Sequence, residues 1–169
     1  MNTLQSARLR LEPLMVHHAE TMFEGLRDEI LYQWTDDQPP ESLDWLRARY
    51  ARLERRCSPD GREVWLNWAI AELPHGVYRG YVQATLIGTE ASVAYMLFRR
   101  AWGKGLAREA VTLMIEELQV AHGVTRLHAI ADSRNEKSLR LLAALGFTRS
   151  GDGGERSNHD LTFHRHLQS

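Results

Sequence analysis

Phe98-Arg-Arg-Ala-Trp-Gly-Lys-Gly-Leu-Ala-Arg-Glu-Ala110 lies between an apolar run, residues 92–98, and an amphipathic segment, residues 106–118. Strand, glycine turn and helix in that order aim several backbone N–H groups at one anion. Arg100, Gly103 and Gly105 stand at the spacing Arg-x-x-Gly-x-Gly. The glycines let the backbone curl and approach a ligand closely, and the helix behind them adds its partial positive end. A pyrophosphate fits such a turn. Two other phosphate loops are excluded by single residues. Arg108 stands where a dinucleotide fingerprint needs its third glycine, and Gly105 stands where the Walker pattern needs Ser or Thr.

The flanking chain predicts the frame that holds this turn. Upstream, Leu9 and Leu11 alternate with Arg8, Arg10 and Glu12 across residues 7–14, a half-buried strand stopped by Pro13. Residues 16–30 place Ala19, Met22, Phe23, Leu26 and Ile30 at helical spacing. The stretch Leu31-Tyr-Gln-Trp-Thr-Asp-Asp-Gln-Pro-Pro40 reads as a loop in which aromatics sit beside acids. Ser42 caps a second helix, residues 43–55. Residues 64–73, 77–87 and 92–98 form three strands joined by short turns, hence an antiparallel meander.

Downstream of the glycines, Leu106, Ala110, Val111, Met114, Ile115 and Leu118 share one helical face, and Gly123 ends that helix. Residues 126–131 form a fifth strand. A helix separates it from the fourth, so the two are expected to run parallel. Asp132-Ser-Arg-Asn-Glu-Lys-Ser138 opens a last helix, residues 136–145, which Gly146-Phe147 closes. Two closing strands, residues 147–150 and 159–167, flank a Gly-rich turn at 151–154. The order β-α-α-β-β-β-α-β-α-β-β, without repeat or linker, predicts one α/β (α+β) domain over residues 1–169.

Composition narrows the class. Hydrophobic residues make up 43% and charged residues 25%, the balance of an ordinary globular chain. A net charge of −1 gives no support for a nucleic-acid surface. Cys57 is the single cysteine, so no disulfide forms within the chain and a reducing, cytoplasmic location is expected. No apolar run reaches signal-peptide or membrane-spanning length, so no membrane partner is expected. The histidines are scattered, and none falls at a recognisable metal spacing, so they are expected to be packed or solvated.

With these residues in place, the chain resembles the GCN5-related N-acetyltransferases (GNAT), and within them the type that acetylates the N-termini of ribosomal proteins. The likeness is sharpest over residues 92–147. It rests on Arg100-Ala-Trp-Gly103-Lys-Gly105-Leu-Ala-Arg-Glu109-Ala and on Asn135-Glu-Lys-Ser138 followed by Leu145-Gly146-Phe147.

The resemblance implies a mixed, mostly antiparallel sheet with helices on both faces and with strands four and five parallel and splayed at their C-terminal ends. It implies acetyl-CoA as donor and an amine, peptide or small molecule, as acceptor, joined by direct attack in a ternary complex. The backbone of Met96, Leu97 and Phe98 would pair with pantetheine. Backbone N–H groups across Arg100, Ala101, Trp102, Gly103, Lys104, Gly105, Leu106 and Ala107 would hold the pyrophosphate. Asn135 would touch the pantetheine arm, Lys137 would lie beside it, and Ser138 would approach the sulfur. Asn135 also reads as a plain N-cap, and the two readings are compatible. Monomer and homodimer both fit.

One departure stands out. Many family members carry a tyrosine about two turns into the last helix as proton donor to the leaving thiolate. Here Leu141-Leu142-Ala143 occupies that region, and no tyrosine follows Tyr95. Ser138 or water must serve the sulfur, and hydrogen-bond stabilisation suits a serine better than proton donation.

The attacking amine must be neutral. An α-amine (pKa about 7.7–8.0) needs little help, whereas a lysine-type amine (about 10.4) needs a base. Candidate carboxylates are Glu90 entering the fourth strand, Asp36 and Asp37 in the aromatic loop, and Glu155 in the closing hairpin, where the ribosomal type tends to place an acid. Glu109 is expected to order the glycine loop. Tyr32, Trp34 and Asp36 are expected to receive the acceptor, while Trp65 and Trp68 either wall a pocket or fill the core. A protein N-terminus, an amino acid, a polyamine and an antibiotic amine all remain open as acceptors. A reading from another class is a non-catalytic acyl-CoA sensor or interaction module on the same fold.

Overall fold

A computed structural model describes residues 1–152 and 159–168. The strands are β1 (Leu4–Gln5), β2 (Leu9–Pro13), β3 (Val64–Glu72), β4 (Val77–Ile87), β5 (Glu90–Leu97), β6 (Arg126–Asp132), β7 (Thr148–Asp152) and β8 (Asp160–His166). The helices are α1 (His18–Leu26), α2 (Leu43–Leu53), α3 (Leu106–His122) and α4 (Glu136–Ala144). Single 3-10 turns cover Glu29–Tyr32 and Arg99–Ala101. The strands form one mixed sheet in the order β1-β2-β3-β4-β5-β6-β8-β7. The expected fourth and fifth strands are β5 and β6, and theirs is the parallel pair.

Each face of the sheet carries a core. Leu9, Trp68, Ile70 and Val82 pack with the apolar stripe of α3 and with Leu142 of α4. On the other face Met22, Leu46 and Tyr50 of α1 and α2 pack with Ala69 and Met96. All six stripe residues named for α3 are buried. Trp68 is fully buried and its indole N–H donates to the Asn2 carbonyl at 2.9 Å, so it fills the core rather than walling a site. His18 is likewise a packed histidine. Its Nδ1 accepts the Met15 N–H at 3.0 Å, which leaves Nε2 as the donor to Glu12 at 3.2 Å.

Three differences from the expected frame have local causes. The helix expected over 16–30 stops at Leu26, because the Asp28 carboxylate accepts the Ile30 N–H and starts a separate 3-10 turn. The two closing strands pair with each other, but β8 inserts between β7 and β6, a neighbour relation that strand pattern alone does not encode. A two-residue β1 adds an edge beside β2. Of the Gly-rich turn expected at 151–154, Gly151 and Asp152 belong to β7, and the rest lies outside the described residues.

The parallel pair is short. β5 meets β6 only at Glu90, Ala91 and Ser92, opposite Arg126, Leu127 and His128. Beyond Ser92, β5 stays with β4. The β3–β4 register shifts at Ile70/Ala71, leaving Arg79 as an extra residue beside Gly80. Such a bulge bends and twists its strand. Gly80 has φ +139, and a Cβ there would fall 2.0 Å from the Met96 carbonyl oxygen. The Phe98 N–H then donates to the Arg79 carbonyl at 2.7 Å. The C-terminal half of β5 is thus tied to the bent β4 and leaves β6.

The β1–β2 corner braces the start of α3. Ser6 Oγ donates to Glu109 at 2.5 Å, Arg8 Nε to Glu109 at 2.7 Å, and Arg8 Nη1 to the Lys104 carbonyl at 2.9 Å. Burial pushes the Glu109 carboxyl up, but the hydrogen bonds from Ser6 and Arg8 outweigh it and hold the group below its ordinary value.

Two outcomes are expected. Gly80→Ala destabilises more than Gly88→Ala in denaturant titrations. The latter glycine, at φ +60, has open space around it and faces only the left-handed backbone penalty of about 1–2 kcal/mol. Equal losses would mean that the close approach at Met96 does not matter. The second outcome concerns pH. A depressed carboxyl pKa stabilises the fold fully above its unfolded value of 4.5 and ceases to do so as pH falls through the lower folded value. Glu109→Gln is therefore less stable than wild type at pH 7, and the gap closes below pH 4.5.

Candidate active site at the splayed strands

The chain leaves β5 through the Arg99–Ala101 turn, which engages two of the expected phosphate donors. The Ala101 N–H bonds to the Phe98 carbonyl at 2.8 Å and the Trp102 N–H to the Arg99 carbonyl at 3.1 Å. Ala101 and Leu106 are buried and anchor the loop ends, while Arg100, Gly103, Lys104 and Gly105 are exposed. Gly103 and Gly105 have φ +72 and +74. Gly105 is the N-cap of α3 and no side chain caps that end, so the N–H groups of the first turn point outward. A Cβ on Gly103 would meet nothing within 4 Å, and one on Gly105 only the Arg8 guanidinium at 3.6 Å. The space over the loop is open and rimmed with N–H donors, as a pyrophosphate requires.

The chain leaves β6 through a clamp. Asp132 is buried, and the hydrogen bonds from Arg134 pull its pKa down to about 2 against the opposing effect of burial. The Arg134 guanidinium also lies 5.1 Å over the Trp34 ring. Asn135 follows as the N-cap of α4, its Oδ1 accepting the Ser138 N–H at 3.2 Å. Lys137 Nζ sits 4.4 Å over the Trp102 ring, so the start of α4 touches the loop after β5. Both motifs that carried the family resemblance therefore border the gap beyond Ser92 and His128.

Backbone direction within the gap is set by alternation along β5. Phe98 pairs with Arg79, so Met96 and Phe98 present their peptide groups to β4, while Tyr95 and Leu97 present theirs to the gap. The Trp102 indole N–H takes the Leu97 carbonyl at 2.7 Å. Of Met96, Leu97 and Phe98, only the Leu97 N–H faces the gap. A residue not singled out from sequence also reaches this point. The Tyr95 hydroxyl donates to Ser138 Oγ at 3.0 Å. The signal was present in the alternation Val93, Tyr95, Leu97, which places the ring on the α3–α4 face.

On the opposite face a cavity of ≈ 230 Å³ opens between α2, β3, β4 and the loop after α1. Tyr32, Asp36, Asp37, Tyr50, Asn67 and Tyr81 are among its walls. Tyr81 pairs with Met96 in register, so the cavity abuts the splayed end of β5. Burial, with Asp37 nearby, pushes the Tyr32 phenol up to about 12, and the same two causes raise Tyr81. Tyr50 is 3% exposed and its hydroxyl has no hydrogen-bond partner among the described residues. The structure thus brings Tyr32 and Asp36 together but not Trp34, which does not line the cavity and sits under Arg134. Trp65 also lies elsewhere, its indole donating to Glu63 at 2.8 Å.

One proposed carboxylate is not at this site. Glu90 is the first residue of β5, at the paired end. Seven residues at about 3.3 Å each put it roughly 23 Å from Leu97. There it bonds His128 at 2.6 Å and neighbours Arg126 at 3.6 Å, and the His128 hydrogen bond lowers its pKa. Glu155 lies outside the described residues. Neither Arg8 nor Arg134 was singled out from sequence, because each acts through a partner far along the chain or on another element.

Comparison with known proteins agrees with this geometry. Residues 8–148 match the model of the acetyltransferase (GNAT) domain. The chain is 36% identical over 154 residues to an uncharacterized N-acetyltransferase, p20, of Bacillus licheniformis, covering 89% of this chain and 85% of that protein. Among solved structures, the ribosomal-protein-S5-alanine acetyltransferase of Vibrio fischeri superposes with a TM-score of 0.82 at 19% identity, over 98% of this chain and 97% of that one. A ribosomal-protein-serine acetyltransferase assignment attaches to a Vibrio cholerae structure with a TM-score of 0.77 at 17% identity, over 98% of each chain. At those identities the two structures speak for the fold, whereas the matched domain and the Bacillus relative establish kinship: this chain belongs to the GNAT family of N-acetyltransferases.

Proposed function

We propose that residues 1–169 work as one acetyltransferase domain that moves an acetyl group from acetyl-CoA to a primary amine in a ternary complex. The observation that carries this reading is the gap beyond Ser92 and His128, with the glycine loop on one side of its mouth and the Asn135-capped helix on the other. The donor and acceptor places lie on opposite faces at one strand end, so both can fill together.

When bound, acetyl-CoA supplies a thioester carbonyl open to attack by nitrogen. The N–H groups from Gly103 to the first turn of α3 hold the pyrophosphate. The Leu97 N–H donates to pantetheine or to the carbonyl oxygen as negative charge develops there. Asn135 and Lys137 line the pantetheine side, and Ser138 faces the sulfur. The acceptor enters the cavity, where tyrosine faces and the Asp36 and Asp37 carboxylates attract an ammonium group. That group must lose a proton before attack. An α-amine does so near neutral pH without a strong base, which suits a site whose buried carboxylate, Asp132, is already held by Arg134.

Gly105→Val is expected to weaken acetyl-CoA binding in calorimetric titration while the protein stays folded, because a β-branched residue resists φ +74. Undiminished affinity would remove the loop from the site. Asp37→Asn is expected to raise the acceptor KM about tenfold, the range of one hydrogen bond to a charged group, and to leave acetyl-CoA affinity unchanged. The acceptor class is read with matched peptides, one with a free N-terminus and blocked lysine, one the reverse. Thiol release is expected with the first. If acetyl-CoA binds but no amine in a broad panel releases thiol, the protein is an acyl-CoA sensor rather than an enzyme.

A further inference from the structure

Tyr95 and Ser138 come from different elements, β5 and α4, and their hydroxyls meet at 3.0 Å. Two hydroxyls in contact can share the bond either way. A phenol is far more acidic than an alkanol and is the better donor, while the serine oxygen is the better acceptor. With the Tyr95 proton in the bond, Ser138 Oγ is fixed as acceptor and its own O–H is free to point elsewhere. The Ser138 backbone N–H is already held by Asn135, so side chain and backbone of this residue are both pinned. Ser138 stands at the start of α4, beside the gap between β5 and β6, so that gap is within reach of its hydroxyl proton.

We propose that Tyr95 is a positioning residue that turns the Ser138 hydroxyl into a fixed donor to the sulfur of the acyl donor, taking the structural place of the tyrosine absent from α4. This rests on the acetyl-CoA reading of the gap. In the transfer, the C–N bond forms and the C–S bond breaks, and the electron pair of the latter goes to sulfur. The proton lost by the attacking nitrogen ends on the released thiol through solvent. Tyr95 and Ser138 gain and lose none. Their part is a hydrogen-bonded chain, Tyr95 to Ser138 to sulfur, in which the first bond polarises and strengthens the second.

The surroundings keep Tyr95 in this role. Burial raises its pKa, with the Ser138 bond opposing, so the phenol stays protonated near neutral pH. The faces of β4, β6 and α3 in its layer are apolar, with Val82, Ala129 and Met114 among them. The charged groups of α4 are held elsewhere, Lys137 over Trp102 and Glu136 with Arg140 at 2.6 Å, and Asp132 at the end of β6 is paired with Arg134 at 2.7 Å.

The test uses CoA itself and needs no turnover. The thiol pKa of CoA bound to wild type, Tyr95→Phe, Ser138→Ala and the double variant is read from the ultraviolet absorbance of the thiolate, with binding followed by calorimetry. The expected result is a bound thiol pKa below that of free CoA in wild type. It should rise by about one unit in Tyr95→Phe, and no further in the double variant than in Ser138→Ala. In steady state, Tyr95→Phe should lower kcat about tenfold with both KM values nearly unchanged. A merely structural bond would lower the melting temperature and leave the thiol pKa where it was. CoA bound with the same thiol pKa in wild type and Tyr95→Phe overturns the assignment alone. Failure of the folded wild type to bind CoA overturns the acetyl-CoA reading and this proposal with it. Ser138→Thr keeps a hydroxyl and should retain the dependence on Tyr95; loss of that dependence would also overturn the assignment.

Discussion

The Met96 carbonyl oxygen occupies the position that any side chain on residue 80 would need. This contact lets β4 and β5 approach at a point where the β3–β4 register has slipped by one residue, and much of the rest follows from it. A parallel sheet that continued to Leu97 would have satisfied its own backbone and left nothing to recognise. Because β5 is drawn to β4, the Leu97 N–H faces an opening, and the loops after β5 and β6 are kept apart yet within reach of each other. The site is a consequence of where pairing stops.

Charged contacts hold the two lips of the opening from behind. Arg8 binds both Glu109 and the Lys104 carbonyl, so an edge of the sheet far from the gap sets the curl of the glycine loop. Asp132 and Arg134 do the same at the start of α4, and the Trp34 ring under Arg134 ties that turn to the loop between α1 and α2. Partly exposed pairs of this kind add little to global stability. Their worth here is geometric, since they fix short irregular segments that no regular hydrogen-bond ladder reaches.

The order and type of the main elements were legible in the sequence, because period-two and 3.6-residue patterns record which face of each element is buried. The stripe from Leu106 to Leu118 and the Ser42 and Asn135 caps are examples. The glycine turn was legible because glycine adopts φ values near +70 without the penalty that a Cβ carries. Neighbour relations were less so. Nothing in residues 160–166 says that they pair with β6 as well as β7. The site divides in the same way. Gly103, Gly105, Asn135 and Ser138 form local motifs and could be read, whereas Tyr95 meets Ser138 across 43 residues and Arg8 meets Glu109 across 101. Trp34 shows the converse: an aromatic without periodicity was read as a ligand wall, and its partner is a protein cation. Glu90 was attractive by its entry into the right strand, but it enters at the wrong end.

β8 has one further implication. It lies between β6 and β7 although both precede it in the chain. While the polypeptide is being synthesised, β6 therefore waits with one edge unpaired until residues 160–166 have emerged, and an unpaired strand edge is a template for association with other chains. Meanwhile α4, which carries Asn135 and Ser138, is attached to a strand whose second partner is missing. The nascent domain can close its antiparallel half, β1 to β5, early, because all five strands precede residue 98. The half that carries Asn135 and Ser138 is completed last, so the proposed site arrives together with protection against aggregation.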